Sequence, residues 1–68
     1  MSVKIKNFKF VDEEGKKIKH VWLEEGEKTK LAGEIFSKGK KHHIYMEISY
    51  HKGKFFTTMG DLEVILSA

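Results

Sequence analysis

Four apolar residues at every second position, Ile44, Met46, Ile48 and Tyr50, alternate with Tyr45, Glu47, Ser49 and His51. That is the signature of a β-strand with one face in a core. Lys52-Gly53 follows at once and reverses the chain into Phe55, Phe56, Thr57, Thr58 and Met59, a second run of strand formers. The stretch therefore reads as a β-hairpin around which the remainder assembles. Two registers keep an apolar core: with Lys52-Gly53 alone in the loop Tyr50 faces Phe55, whereas a longer loop that takes in His51 sets Ile48 against Phe56.

The same alternation recurs on both sides. Val3 and Ile5 point one way and Lys4 and Lys6 the other, but Phe8 and Phe10 fall in the phase of the lysines. A bulge at Asn7 that turns them inward is the expectation, the alternative being an open aromatic platform beside two lysines. Asp12-Glu13-Glu14-Gly15 forms a turn, and Lys16 to Leu23 reads as a second strand with Trp22 in the core and His20 at its rim. Glu24-Glu25-Gly26-Glu27 repeats the acidic turn. Lys28 to Phe36 gives a third strand, interrupted by Gly33, which marks a bulge, a bend or the close approach of another backbone. Near the end, Asp61 can start one helical turn before Val64 to Leu66 return to the sheet.

Sixty-eight residues make a single small β domain spanning residues 1–68, with room for one core. The expected core is Leu31, Ile35, Ile44, Met46, Ile48, Val64 and Leu66. The sequence has no Cys, which removes disulfides and thiolate metal sites. No segment has the pattern of a secretory signal or a membrane span, so the expected location is cytoplasmic, with no membrane partner. The fold class is all-β, a barrel or sandwich of five or six short antiparallel strands punctuated by glycines. An unclosed barrel would leave an edge strand that a homodimer could cover.

The run L-A-G-E-I from Leu31, the X-G-K turn at Lys52 to Lys54 and the closing T-T-M-G-D-L-E-V-I resemble the C-terminal half of SH3-like barrels, the group that includes KOW and Tudor modules. Separately, K-I-K-H-V-W at Lys17 to Trp22 is similar to the Val-Trp strand of the small SH3-like chromatin proteins of archaea. That resemblance implies that Lys17, Lys19 and Trp22 belong to a DNA-facing surface.

Chemistry is sparse. The glycines form no phosphate-binding loop, no serine sits in a nucleophile elbow, and the paired acids Glu13-Glu14 and Glu24-Glu25 lie in solvated turns. No enzyme activity and no cofactor is expected. His42, His43 and His51 fall near the two ends of one strand, too far apart for one metal site. All thirteen cations are Lys, against ten acids, for a net charge of +3. Lys serves as a point charge against phosphates, whereas Arg reads base edges. Sequence-tolerant nucleic-acid binding is therefore the first functional expectation. Its residues are Lys38, Lys40, Lys41, His42, His43, Tyr45, Lys52, Lys54 and Phe56, joined by Lys17, Lys19 and Trp22. The alternative is a small protein-docking module, an adaptor or inhibitor of the kind phages and mobile elements encode, since the acidic turns would repel a nucleic acid approaching from their side.

Overall fold

A computed structural model of the protein describes residues 1–58 and 62–67. Five strands, β1 (Ser2–Val11), β2 (Lys28–Ser37), β3 (Lys40–His51), β4 (Lys54–Thr57) and β5 (Glu63–Ser67), join edge to edge in chain order as a closed barrel. An all-β barrel of this size and strand number is compatible with an SH3-like fold. Successive strands are antiparallel, but the β1–β5 seam is parallel, from Ser2 opposite Glu63 to Lys6 opposite Ser67. This corrects the all-antiparallel expectation. A meander alternates direction, so an odd number of strands brings the first and last together pointing the same way.

Two tight turns fix the register of β2, β3 and β4. Lys38 and Gly39 have φ of 53° and 75°, Lys52 and Gly53 have 49° and 80°. Positive φ at both central residues is the two-residue turn whose twist matches the flanking strands. Of the two registers the sequence allows, the protein takes the shorter loop, with Tyr50 opposite Phe55.

Strand β1 carries the expected bulge. Lys6 faces Glu34 and Lys9 faces Ala32, so three steps on β1 match two on β2, and Asn7 takes a φ of 51°. The extra residue changes the phase. Val3 and Ile5 before it, and Phe8 and Phe10 after it, all pack on the core formed by Ile5, Leu31, Ile48 and Val64. Ile35, Ile44, Met46, Phe55 and Leu66 complete that cluster. Gly33 lies beneath the bulge: a Cβ there would collide with the Ile5 Cγ2 methyl and sit 3.3 Å from the Lys6 carbonyl oxygen. The interior glycine marks a close approach of neighbouring backbone.

The expected strand over Lys16 to Leu23 is not formed. Asp12 Oδ1 accepts hydrogen bonds from the Glu14 and Lys16 backbone N–H groups, both at 2.9 Å, and turns the chain back. Pairing then amounts to a single bridge between Val11 and Lys17, followed by a hydrogen bond from Ile18 N–H to the Phe10 carbonyl at 2.8 Å. Strand β5 pairs with β1 only over residues 2–6, and this short return covers part of what remains. Beyond it the chain leaves the sheet. Trp22, expected in the core, is 85% exposed, and His20 is exposed as well. The helical turn expected at Asp61, and Met59 at the end of the hairpin, lie outside the described residues.

Ile48 is fully buried, and Ile48→Ala is expected to cost about 2–5 kcal/mol in urea unfolding. Gly33→Ala is expected to cost about 1–3 kcal/mol although its φ is ordinary, because the neighbours to be displaced are strand backbone and a packed core methyl. An unchanged midpoint for Gly33→Ala would show that β1 can move aside.

Candidate nucleic-acid interface

Directly opposed residues of a sheet share a face. Because Leu31 and Phe10 point into the core, their strand neighbours point out. Three rungs follow on the outside of β1, β2 and β3: Phe36 with Lys41, then Lys6, Glu34 and His43, then Lys9, Ala32 and Tyr45. Phe36 and Tyr45 are each about half exposed, an uncommon position for large rings. The Lys6 ammonium lies 5.3 Å from the Phe36 ring centroid, within cation–π range. Between Asn7 and Lys9 on one side and His43 on the other runs a shallow groove of about 300 Å³, floored by Ala32 and Gly33.

Glu34 organises this face. Its carboxylate accepts a 2.8 Å hydrogen bond from the Asn7 side-chain amide and lies 3.7 Å from Lys41 Nζ and 3.8 Å from His43 Nδ1. The Asn7 amide holds the carboxyl below its ordinary range; partial burial works against this, and the Lys41 and His43 charges add to it. The side chain is only 13% exposed. A single covered acid thus pins the β1 bulge to β2 and draws in Lys41 and the His43 ring, while the Lys6, Lys9 and Lys41 side chains remain open to solvent.

The residues named from sequence do not form one patch. Lys38, Lys40, Lys41 and His42 sit at or beside the β2–β3 turn, with His43 and Tyr45 next along β3. His51, Lys52 and Lys54 are at the far end of that twelve-residue strand, about 35 Å away along an extended chain. There Glu25 reaches across from the second acidic turn. Its Oε1 accepts the Lys52 backbone N–H at 2.8 Å, and its Oε2 lies 3.0 Å from His51 Nδ1. The Gly26 N–H donates to the Tyr50 carbonyl, and Tyr50 N–H to the Glu27 carbonyl. Phe56 stands opposite Ser49 and Glu63, beside His51, in a larger groove of about 570 Å³ that Lys28 also lines. With Glu25 and Glu63 at its margins, that groove suits an anion poorly. Lys17, Lys19 and Trp22 are in the irregular segment between β1 and β2. The residues missed are Lys6, Lys9 and Phe36. Carrying the bulge at Asn7 through the alternation would have found the two lysines.

Comparison with family models, with curated proteins and with solved structures finds no match to this chain. Its surface must be interpreted through its own chemistry.

The carboxyl of Glu25 is also held low, first by the Lys52 N–H and then by His51. Both acids have folded pKa values below the ordinary 4.5, so their contribution is fully present above that value. Acid protonates the unfolded chain first, and the contribution fades as pH falls through the folded values. In urea titrations at pH 7 and pH 3, Glu25→Gln with Glu34→Gln is expected to lose less stability between the two than the parent; equal losses would contradict the assignment.

Proposed function

We propose that the protein is a non-enzymatic module that binds single-stranded nucleic acid with little sequence preference through the outer face of β1, β2 and β3. The observation that carries the reading is the combination on one face of exposed cations, Lys6, Lys9 and Lys41, with two half-exposed rings, Phe36 and Tyr45. Lysines hold phosphates by charge, and aromatic faces accept any base by stacking. Phe36 is four residues along β2 from Ala32, the partner of Tyr45, so the rings stand about 14 Å apart. That spacing fits an extended strand better than a duplex, whose stacked bases offer no free π-face. Absence of Arg removes the usual bidentate reader of guanine. The only acid in the three outer rungs is Glu34, which is covered and paired. The finer likenesses, to KOW and Tudor modules and to archaeal chromatin proteins, fit such a role. With Trp22 in the irregular segment, the chromatin-protein likeness no longer supplies the site.

Fluorescence anisotropy of labelled oligonucleotides tests the proposal. Homopolymeric single strands are expected to bind at low salt, more tightly than duplex, with log K falling against log salt at a slope of about −2 to −4 if three to five phosphates are neutralised. Lys6→Glu and Lys9→Glu are each expected to weaken all sequences alike, and Tyr45→Ala to cost about 1–3 kcal/mol. Lys54→Glu, at the far end of β3, is the control expected to bind as the parent. No binding at low salt would defeat the proposal.

A further inference from the structure

Closure of the barrel leaves part of its longest strand without a neighbour. Strand β3 pairs with β2 from Lys40 to Ser49, but the short β4 meets its other side only from Ile48 to His51. Among the described residues nothing pairs with that side of Lys40 to Glu47, and Leu62, whose carbonyl accepts the Thr57 N–H at 2.9 Å, is already back beside β4. The two tight turns say which peptide groups are left over. A two-residue turn is closed by a hydrogen-bonded pair, Ser37 with Lys40 at one end of β3 and His51 with Lys54 at the other. Counted in twos from Lys40, the even residues bond to β2; counted back from His51, the odd residues face the side of β4. The N–H and C=O groups of Lys41, His43 and Tyr45 therefore point away from β2 toward an empty position. Where β4 stops, a hollow of about 360 Å³ lined by Met46, Glu47, Thr57 and Thr58 continues its line. Free peptide groups with a hollow for a side chain beside them are what an added strand requires.

Charge selects the occupant. From Lys38 to Glu47 there are three lysines and a single acid, Glu47 at the far end. Glu34 offers one carboxylate to both Lys41 and His43. A second copy fits poorly. The antiparallel register that sets Lys41 against Glu47 puts Lys40 beside Ile48, where Thr57 already stands, and the registers that clear β4 set His43 against His43 or Lys41 of the other copy. We infer that this edge takes an extended acidic segment of another protein, laid antiparallel to β3 in line with β4. Its outward side chains opposite Lys41 and His43 are carboxylates. Its inward ones, beside Ile44 and Met46, which pack on the core, are small and apolar, and one of them enters the hollow. The contact is made by backbone groups that the outer face does not use, so it stands whether or not that face binds nucleic acid.

Amide-resolved NMR of the full chain without nucleic acid is the test, with the end-capped peptide Val-Thr-Val-Glu-Thr-Glu as the probe. Before peptide is added, hydrogen exchange is expected to alternate, fast at Lys41, His43 and Tyr45 and slow at His42, Ile44 and Met46. Millimolar peptide at low salt is expected to shift the three fast amides and slow their exchange. The basic counterpart Val-Thr-Val-Lys-Thr-Lys is expected to bind at least about tenfold more weakly. So is the acidic peptide N-methylated at its first Thr and first Glu, which face Tyr45 and His43, because it keeps the charge and loses two strand hydrogen bonds. Tyr45→Pro removes one edge N–H and leaves the β2–β3 ladder whole; with its fold established by circular dichroism, it is expected to lose the peptide. Protection of Lys41, His43 and Tyr45 in the free chain, whether by its own residues or by a second copy, overturns the inference. Shifts absent with the acidic peptide, or equal with the basic or the N-methylated one, overturn it as well.

Discussion

Closure of the barrel depends on how β1 passes over β2. The strand must pair with β2 on one side and β5 on the other while turning four apolar side chains to the interior, and strict alternation from Val3 would send Phe8 and Phe10 outward. Asn7 absorbs one residue at positive φ, and the phase change brings all four inward. The bulge presses β1 down onto β2, leaving no room for a side chain at position 33, and glycine there lets Ile5 reach the centre of the core. A bulge on one strand and a glycine on its neighbour are thus two halves of one steric solution.

The same solution shapes the surface. Turning Phe8 and Phe10 in leaves Lys6 and Lys9 both facing out, three positions apart where an unbroken strand would have set them on opposite faces. The amide of the bulge residue reaches Glu34, and that carboxylate draws in Lys41 and His43. Charge on this face is arranged by a packing requirement. At the opposite end Glu25 plays a parallel part, stitching the second acidic turn to the β3–β4 turn. Acids in surface turns looked from sequence like solvated charge. Among them Glu25 is instead a tether, as is Glu34 within strand β2, each joining segments about 26 or 27 residues apart.

What was legible in the sequence was local. Alternation located β1, β2, β3 and β5, the Lys-Gly pair fixed a turn, and the parity fault at Phe8 exposed the bulge. The outcomes that escaped were set by competition for partners. Lys16 to Leu23 has every strand propensity, yet β1 offers it only a short stretch of edge, so Trp22 ends in solvent. The parallel seam arises from strand number and is written in no single segment. The basic patch was drawn along one hairpin because its lysines cluster there, but a twelve-residue strand separates its ends, and the cations that do gather come from different strands. Lys6 and Lys9 on β1 meet Lys41 on β3 only through the register with β2.

The parallel seam has a further consequence for how the chain reaches its native form. Strands β2, β3 and β4 are linked by two-residue turns, so their contacts can form early at small cost in chain entropy. Ser2 and Glu63, which begin the seam, are sixty-one residues apart (63 − 2). Bringing them together restricts nearly the whole chain, and the reward comes only once Ile5 and Val64 meet the core already laid down by Leu31 and Ile48. Until that moment β1 and β5 each lack a partner on one side, and the interior between them is open to water. Unpaired edges of the open sheet are thus protected last, by the contact that spans the greatest length of chain.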